Sequence, residues 1–474
     1  MPNTAPALPA AFVDACRALL GPKGCVDDPG ELERHGTDFW RHYSGTSPLL
    51  LRPGSTAEVA GAVRLAAEHK VPLVPQSGNT GLVGGGIPDQ SGRMAMLSLA
   101  RLDKIRSVDA AGDVLVVEAG CTLAAVQDAA RAVDRLFPLS LGSEGTARIG
   151  GNLATNAGGI NVIRYGMARD LALGLEVVLA DGRVWEGLRT LRKDNTGYDL
   201  KQVFLGSEGT LGVITAAALK LFPAPRERVA FFAAVPSPSA AVELLAGARG
   251  RFGELVSAFE LLAAPCVDAS IANTPGLRFP LESTGPWYVL GEVGWSLSEG
   301  LETATDDWLV EQIESGLMTD ATRTQNDAQR VAFWRMRESV SEGMTKLGGP
   351  VARNDVSVPV ARIPALIERG QALAAREFPG AVLTPFGHVG DGNLHFNFVL
   401  PADTADVQAA RARVQTAVFD LVQDLGGSIS AEHGIGRSKR GELHARKPPL
   451  DIELMRRLKA ALDPDDILNP GVIV

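Results

Sequence analysis

Glycine placement constrains this chain more than any other feature. Glycines crowd residues 77–86 (SGNTGLVGGG) and much of 141–212, where the hexapeptide LGSEGT occurs twice, at 141–146 and 205–210. The total is 52 in 474 residues, about 11% against a usual ~7%. Loops of Gly, Ser, Thr and Asn let backbone amides converge on anionic oxygens without obstruction from side chains. Six residues are too few for a solenoid repeat, so the economical reading of the twin hexapeptide is two similar turns serving one phosphate-bearing ligand. Two common nucleotide folds are excluded. No G-x-x-x-x-G-K-[ST] loop is present, and Gly78, Gly81 and Gly84 follow G-x-x-G-x-x-G rather than the Rossmann fingerprint.

At ~100–200 residues per domain the length predicts two to four domains. The 46 basic against 55 acidic residues give a net charge of −9, which argues against a nucleic-acid footprint or an anionic membrane surface. Cys16, Cys25, Cys121 and Cys266 form no C-x-x-C pair, so zinc-ribbon and iron–sulfur readings fail and buried thiols in a reducing compartment are expected. The N-terminal residues lack a basic start before an apolar core, and no stretch of about 18 residues is predominantly apolar. The expectation is a cytoplasmic protein with no membrane span.

Helical spacing of Phe12, Ala15, Leu19 and Leu20 predicts a helix in a lead-in of residues 1–45. Ser55 and Glu58 form a capping-box pattern ahead of a face of Val59, Ala62, Val63 and Ala66, feeding a strand at 71–75. Strands are expected at 115–120 and, as a hairpin about Asp181-Gly182, at 175–187. Beyond the Pro-rich LFPAPRER glycine thins out, which places a boundary near residue 226. A strand at 287–293 and helices at 303–318, 331–347, 405–425 and 452–462 follow, then an extended tail. The resulting domains are 46–225, 226–425 and a C-terminal segment, 426–474.

Seven histidines are present, and two of them flank Asp391-Gly392, a strong two-residue hairpin signal. That turn makes His388 and His395 direct cross-strand neighbours, with Cβ atoms roughly 4.5–5.5 Å apart, able to share one metal. Asn397 projects from the same face as His395. In SAEHGIG, Glu432 could complete a site of two histidines and one glutamate, leaving His433 as a base. His35, His42, His69 and His444 have no such context and read as surface or packing residues.

The segments VPQSGNTGLVGGGIP, LGSEGTARIGGNLATNAGGINVIRYG, KDNTGYDLKQVFLGSEGTLGVIT and the closing LNPG resemble the flavin-binding half of the FAD-linked oxidases of the vanillyl-alcohol oxidase type. The resemblance implies an α+β fold. It comprises a two-part FAD-binding domain, an α+β substrate domain and a C-terminal helical segment returning to the FAD domain. It places the pyrophosphate on the loop Gly78, Asn79, Thr80, Gly81 and Leu82, with Pro75 and Ser77 also at the cofactor. It wraps the rest of the cofactor in Gly142, Ser143, Thr146, Gly150, Gly151, Asn152, Thr155, Asn156, Gly158 and Gly159, with Gly209, Val213, Ile214 and Asn469 completing the cradle. Many relatives bond flavin through a histidine, but only His69 lies between residues 50 and 222, outside the glycine loops, so the FAD is expected to be non-covalent.

The second half resembles the D-2-hydroxyglutarate and D-lactate dehydrogenase branch of that family, which has a histidine pair followed by x-N and a later E-H. Carried over, His388, His395 and Glu432 ligate Zn2+ or a similar divalent ion, Asn397 contacts substrate and His433 is the base, also touching substrate. Arg337, Ser341 and Arg353 fall where the family grips substrate carboxylates, although Ser341 replaces a frequent threonine and Arg353 a frequent lysine. The implied reaction is oxidation of a D-2-hydroxy acid, D-2-hydroxyglutarate or D-malate ahead of D-lactate, to the 2-oxo acid. Electrons then pass to a separate acceptor, an electron-transfer flavoprotein or a quinone, and a homodimer is an open expectation. The rivals are a zinc hydrolase carrying a nucleotide-binding module and a non-enzymatic ligand-binding protein.

Overall fold

The computed structural model describes residues 8–297 and 299–474. The first seven residues of the lead-in lie outside it. The chain divides into two compact units: one of residues 1–158, 167–223 and 433–474, the other of 159–166 and 224–432.

Among the described residues the first unit holds a two-stranded pair, Arg135–Leu136 with Phe222–Pro223, and two larger sheets. In the smaller, Cys25–Val26, Leu50–Leu51, Ala95–Ser98 and Leu73–Gln76 lie in that order, the last three parallel. Its apolar strands are covered by the helices Ala10–Leu20 and Thr56–His69. Ser55 Oγ accepts from Glu58 N at 3.2 Å as the capping pattern predicts, while the Glu58 carboxylate takes the N–H of Gly54 at 2.7 Å. The first helix buries Phe12, Cys16 and Leu20, not the expected Leu19, because a 3.6-residue period sets the inward face at i, i+4, i+8. The tail DDILNPGVIV adds to this sheet: Leu73 N donates to Ile467 O and Asn469 N to Leu73 O, both at 2.8 Å. The larger sheet is antiparallel, in the order Ile105–Asp109, Val114–Glu118, Val213–Lys220, Ala172–Val178, Val184–Gly187. Its last pair is the expected hairpin, with Gly182 at φ +79° in the turn.

The second unit is built on one eight-stranded antiparallel sheet. The order is Asp320–Arg323, Glu227–Val235, Trp287–Trp295, Val256–Ala263, Val382–Gly387, Asn393–Val399 and Val351–Ala352, with Asp355–Ser357 also on Asn393–Val399. Its central strands are buried on both faces, as their predominantly apolar runs require. The expected helix at 331–347 is two: Asp327–Glu338 ends at Ser339, and a short turn of helix, Val340–Gly343, restarts beyond it. Ser339 Oγ bonds Ser270 Oγ at 2.6 Å and donates to the carbonyl of Arg335, the side-chain back-bonding to i−4 that bends a helix.

Candidate functional site

In the first unit the glycine loops meet one another. Gly78 has no room for a side chain, since a Cβ there would lie 2.5 Å from Thr146 O, and one at Gly151 would lie 3.2 Å from Ser77 Cβ. Gly209 packs on the Pro75 ring. By contrast Gly81 and Gly142 face open space. Among the described residues the N–H groups of Gly78, Asn79, Thr80, Gly81 and Leu82 meet no backbone acceptor. Asn152, buried in the short helix Ile149–Ala154, leaves its Nδ2 without a partner. A row of unused amides plus an orphaned buried donor suits an anionic, hydrogen-bonding cofactor such as FAD. Thr155 is tied to Gly151 O, and Asn156, at φ +51°, accepts from Arg169 N at 2.9 Å, so both shape the loop through their own side chains. Val213 and Ile214 open the strand paired with Val178 and Val177, while Gly158 is buried. Ser143 and Thr146 close the first hexapeptide turn on each other. His69 ends its helix edge-on to Phe12, with ring centroids 6.0 Å apart.

The two hexapeptides are not equivalent turns. The first has no residue in the left-handed region, whereas in the second Gly206, Glu208 and Gly209 all do. Glu144 binds Ser140 and Gln127. Glu208 is buried instead, and its carboxylate accepts from Ile435 N at 2.7 Å and Gly436 N at 2.8 Å, fixing the segment that begins at His433. Burial pushes the Glu208 carboxyl above its usual range, against those two amides. Asn469 joins the same knot, donating to Glu208 O and Gly85 O at 2.8 Å. Glu208→Ala leaves the part-buried Ile435 and the buried Gly436 amides without their acceptor, and an unfolding free energy lower by about 2–4 kcal/mol in urea titrations is expected. Unchanged stability would remove Glu208 from this role.

In the second unit the histidine hairpin differs from its expected register. Strand Val382–Gly387 pairs with Asn393–Val399 so that His395 lies opposite Phe386 rather than His388. The turn is a five-residue loop, 388–392, because Gly392 alone takes φ > 0 (+89°) while a two-residue type I′ turn needs both central residues there. The His388 carbonyl accepts from Gly392 N at 3.1 Å and Asn393 N at 3.2 Å, closing the loop. The two imidazoles nevertheless meet, with ring centroids 5.8 Å apart.

Glu432 reaches the same place. Its N–H is held by Asp355 Oδ2 at 2.9 Å and its Oε1 accepts from Gly159 N at 2.6 Å, so Gly159, expected at the cofactor, spends its amide on this carboxylate. His388 Nε2 lies 3.8 Å from Glu432 Oε1, and one ligand atom from each of His388, His395 and Glu432 falls within 4.8 Å of the others. Two imidazoles and a carboxylate at this spacing fit a divalent ion, whose bonds to N and O run ~2.0–2.2 Å.

Two residues that the sequence reading missed complete the cluster. Glu260, fully buried in Val256–Ala263, accepts from His388 Nδ1 through Oε1 and from Arg337 Nε at 2.5 Å through Oε2. A lone acid inside the apolar run VSAFELLA was the available signal. Burial opposes its ionisation, yet Arg337 and His388 hold its carboxyl down to about 2. Burial likewise opposes charge on His388, but Glu260 and Glu432 raise it to about 9. Asp355, the other omission, sits opposite His395 and also accepts from Asn393 Nδ2 at 2.8 Å.

Arg337 is buried, with its guanidinium 4.8 Å above the Phe386 ring. Arg353 is half-buried and donates to Ser341 O at 3.4 Å; burial and neighbouring Arg411 lower its pKa. Asn397 is buried and accepts from Asn354 N at 2.9 Å. His433 opens the return to the first unit. His35 binds Gln76, and His444 lies 3.0 Å from Ile473 O, both packing roles.

Residues 47–187 match the family described as FAD binding domain, and 224–473 match FAD linked oxidases, C-terminal domain. The chain is 41% identical over 453 residues to the mitochondrial D-2-hydroxyglutarate dehydrogenase of Bos taurus, covering 95% of this chain and 81% of that protein. It is 37% identical over 446 residues to the D-2-hydroxyglutarate dehydrogenase of Xanthomonas citri pv. viticola, covering 94% and 93%. Among solved structures, p-cresol methylhydroxylase superposes with a TM-score of 0.75 at 20% identity, covering 97% of this chain and 96% of that one. The fold is that of the vanillyl-alcohol oxidase type. Both halves resemble parts of one flavoprotein family, which leaves no room for a hydrolase with an appended nucleotide module.

Proposed function

The chain belongs to the FAD-linked oxidases and is an FAD-dependent dehydrogenase of D-2-hydroxy acids; on that premise we propose that it oxidises D-2-hydroxyglutarate, with D-malate as a second substrate, to the 2-oxo acid with the help of a divalent metal. The convergence of His388, His395 and Glu432, with Arg337 tied to the same cluster through Glu260, carries this reading. Non-covalent FAD, held by the loops at 77–82 and 146–158 with Gly209 and Asn469, supplies the hydride acceptor. Zinc or a similar divalent ion held by His388, His395 and Glu432 would supply Lewis acidity at the substrate.

The chain's own residues do the rest. His433 removes the hydroxyl proton. Arg337, with Arg353 and Ser341, grips the distal carboxylate; the Arg337 Nη groups make no hydrogen bond within the described residues, so they remain for a ligand. Asn397, held by Asn354, limits how the substrate seats beside His395. A separate electron acceptor, an electron-transfer flavoprotein or a quinone, reoxidises the protein, and stopped-flow reoxidation by each in turn tells them apart.

A monocarboxylate meets its need at the metal alone, whereas Arg337, already paired with Glu260 through Nε, keeps its Nη groups for a second carboxylate, and Arg353 lies in the same unit. Two arginines in one unit therefore favour a dicarboxylate. Loss of the distal charge-assisted contact is expected to cost ~2–5 kcal/mol, tens to thousands of fold in kcat/KM for D-lactate against D-2-hydroxyglutarate. The test is kcat/KM for both enantiomers of 2-hydroxyglutarate, malate and lactate. D-lactate equal to or better than the dicarboxylates, or Arg353→Ala lowering all substrates alike, refutes the assignment.

A further inference from the structure

We infer that Glu260 is a positioning residue that orients the metal ligand His388 and the substrate arginine Arg337 together, one with each carboxylate oxygen. The inference rests on the metal reading above. Glu260 lies in a strand whose every residue is buried, a position where a carboxylate persists only if fully partnered. Its partnering is complete: Oε1 takes the His388 Nδ1 proton and Oε2 takes Arg337 Nε at 2.5 Å. Arg337 in turn stacks on Phe386, whose ring centroid is 4.8 Å from that of His395. His388 is thus braced at the nitrogen opposite the one that faces Glu432, and His395 packs on the ring that Arg337 covers.

The chemistry follows from imidazole having two nitrogens. A carboxylate at Nδ1 demands that the proton sit there, which leaves the Nε2 lone pair for a metal. Nε2 is the atom that lies 3.8 Å from Glu432 Oε1. An ion pair that served only the core would have no reason to join a ligand on one oxygen and a substrate residue on the other.

Glu260→Gln preserves volume but cannot satisfy two donors: its NH2 must face either His388 Nδ1–H or Arg337 Nε–H, and in both orientations the negative charge behind His388 is gone. The experiment measures Zn2+ affinity, by competition with a chromophoric chelator, on FAD-loaded protein stripped of metal. The wild type is expected to bind one Zn2+, and Glu260→Gln to bind it about 10–100-fold more weakly with its flavin spectrum unchanged. Affinity within threefold of wild type overturns the inference while leaving the metal reading intact. A wild type that binds no Zn2+ overturns both. Should the variant fail to fold, 15N-histidine NMR of the zinc-loaded wild type decides. The His388 signals, assigned by their loss in His388→Gln, are expected to report a protonated Nδ1 and a metal-bound Nε2, and the reverse tautomer refutes the role.

Discussion

Stripping the divalent ion with a chelator is expected to lower turnover by on the order of a thousandfold, several kcal/mol of lost transition-state stabilisation, while the flavin absorbance stays in place. The two effects separate because the ligand set and the glycine loops belong to different parts of the chain. His388, His395 and Glu432 all lie in the second unit, and the loops at 77–82 and 146–158 in the first. Restoring Zn2+ should restore activity and also raise the unfolding free energy by about 2.7 kcal/mol at a free concentration 100 times Kd, a gain that needs no substrate to observe. His388→Ala should reproduce the stripped state and lose the Zn2+-dependent stabilisation. Acid or denaturant should then release the FAD intact, since His69 is packed on Phe12. Full activity in metal-free protein, or flavin left on the unfolded chain, counts against the respective half of this picture.

What could be read from the sequence, and what could not, follows from the range of the interactions involved. The capping of Thr56–His69, the hairpin at Gly182 and the stop of Val407–Asp424 at Gly426 depend on neighbours a few residues away, and all three appear in the structure. The cluster of His388, His395 and Glu432 is legible in the sequence as residues but not as geometry. His388 and His395 were placed by an assumed tight turn, and they meet although that turn is longer and the register is shifted by two. Gly392 alone, without a left-handed Asp391, extends the loop.

Long-range partnerships were less accessible. Glu260 and His388 are separated by 128 residues and Glu208 and Gly436 by 228, so no local pattern joins them. A single acid in an apolar strand was the one visible sign of Glu260. The two LGSEGT turns show the opposite limit, because identical hexapeptides take different backbone paths according to what they face. Sequence identity over six residues is outweighed by tertiary contacts on a buried glutamate.

His433→Ala is expected to lower kcat and kcat/KM together by about 10²–10⁴-fold, the range for losing a general base, with FAD and metal both retained. Glu432→Ala, one residue earlier, should instead lose metal affinity. The contrast is built into the backbone. Glu432 is pinned by its N–H to Asp355 and by its carboxylate to the Gly159 amide, whereas the segment after it is pinned by Ile435 and Gly436 on Glu208. Glu432 is thus anchored through its own N–H and carboxylate, while the backbone beyond His433 is anchored separately on Glu208, so truncating the His433 side chain leaves the Glu432 anchors in place. Added imidazole should recover part of the rate of His433→Ala but none of that of Glu432→Ala, since a diffusible base can replace a proton acceptor and cannot return an ion to its ligands. Equal metal loss in the two variants would mean that ligand and base have been assigned to the wrong residues. Imidazole rescue of Glu432→Ala in the absence of metal would mean that no ion is required at this site at all.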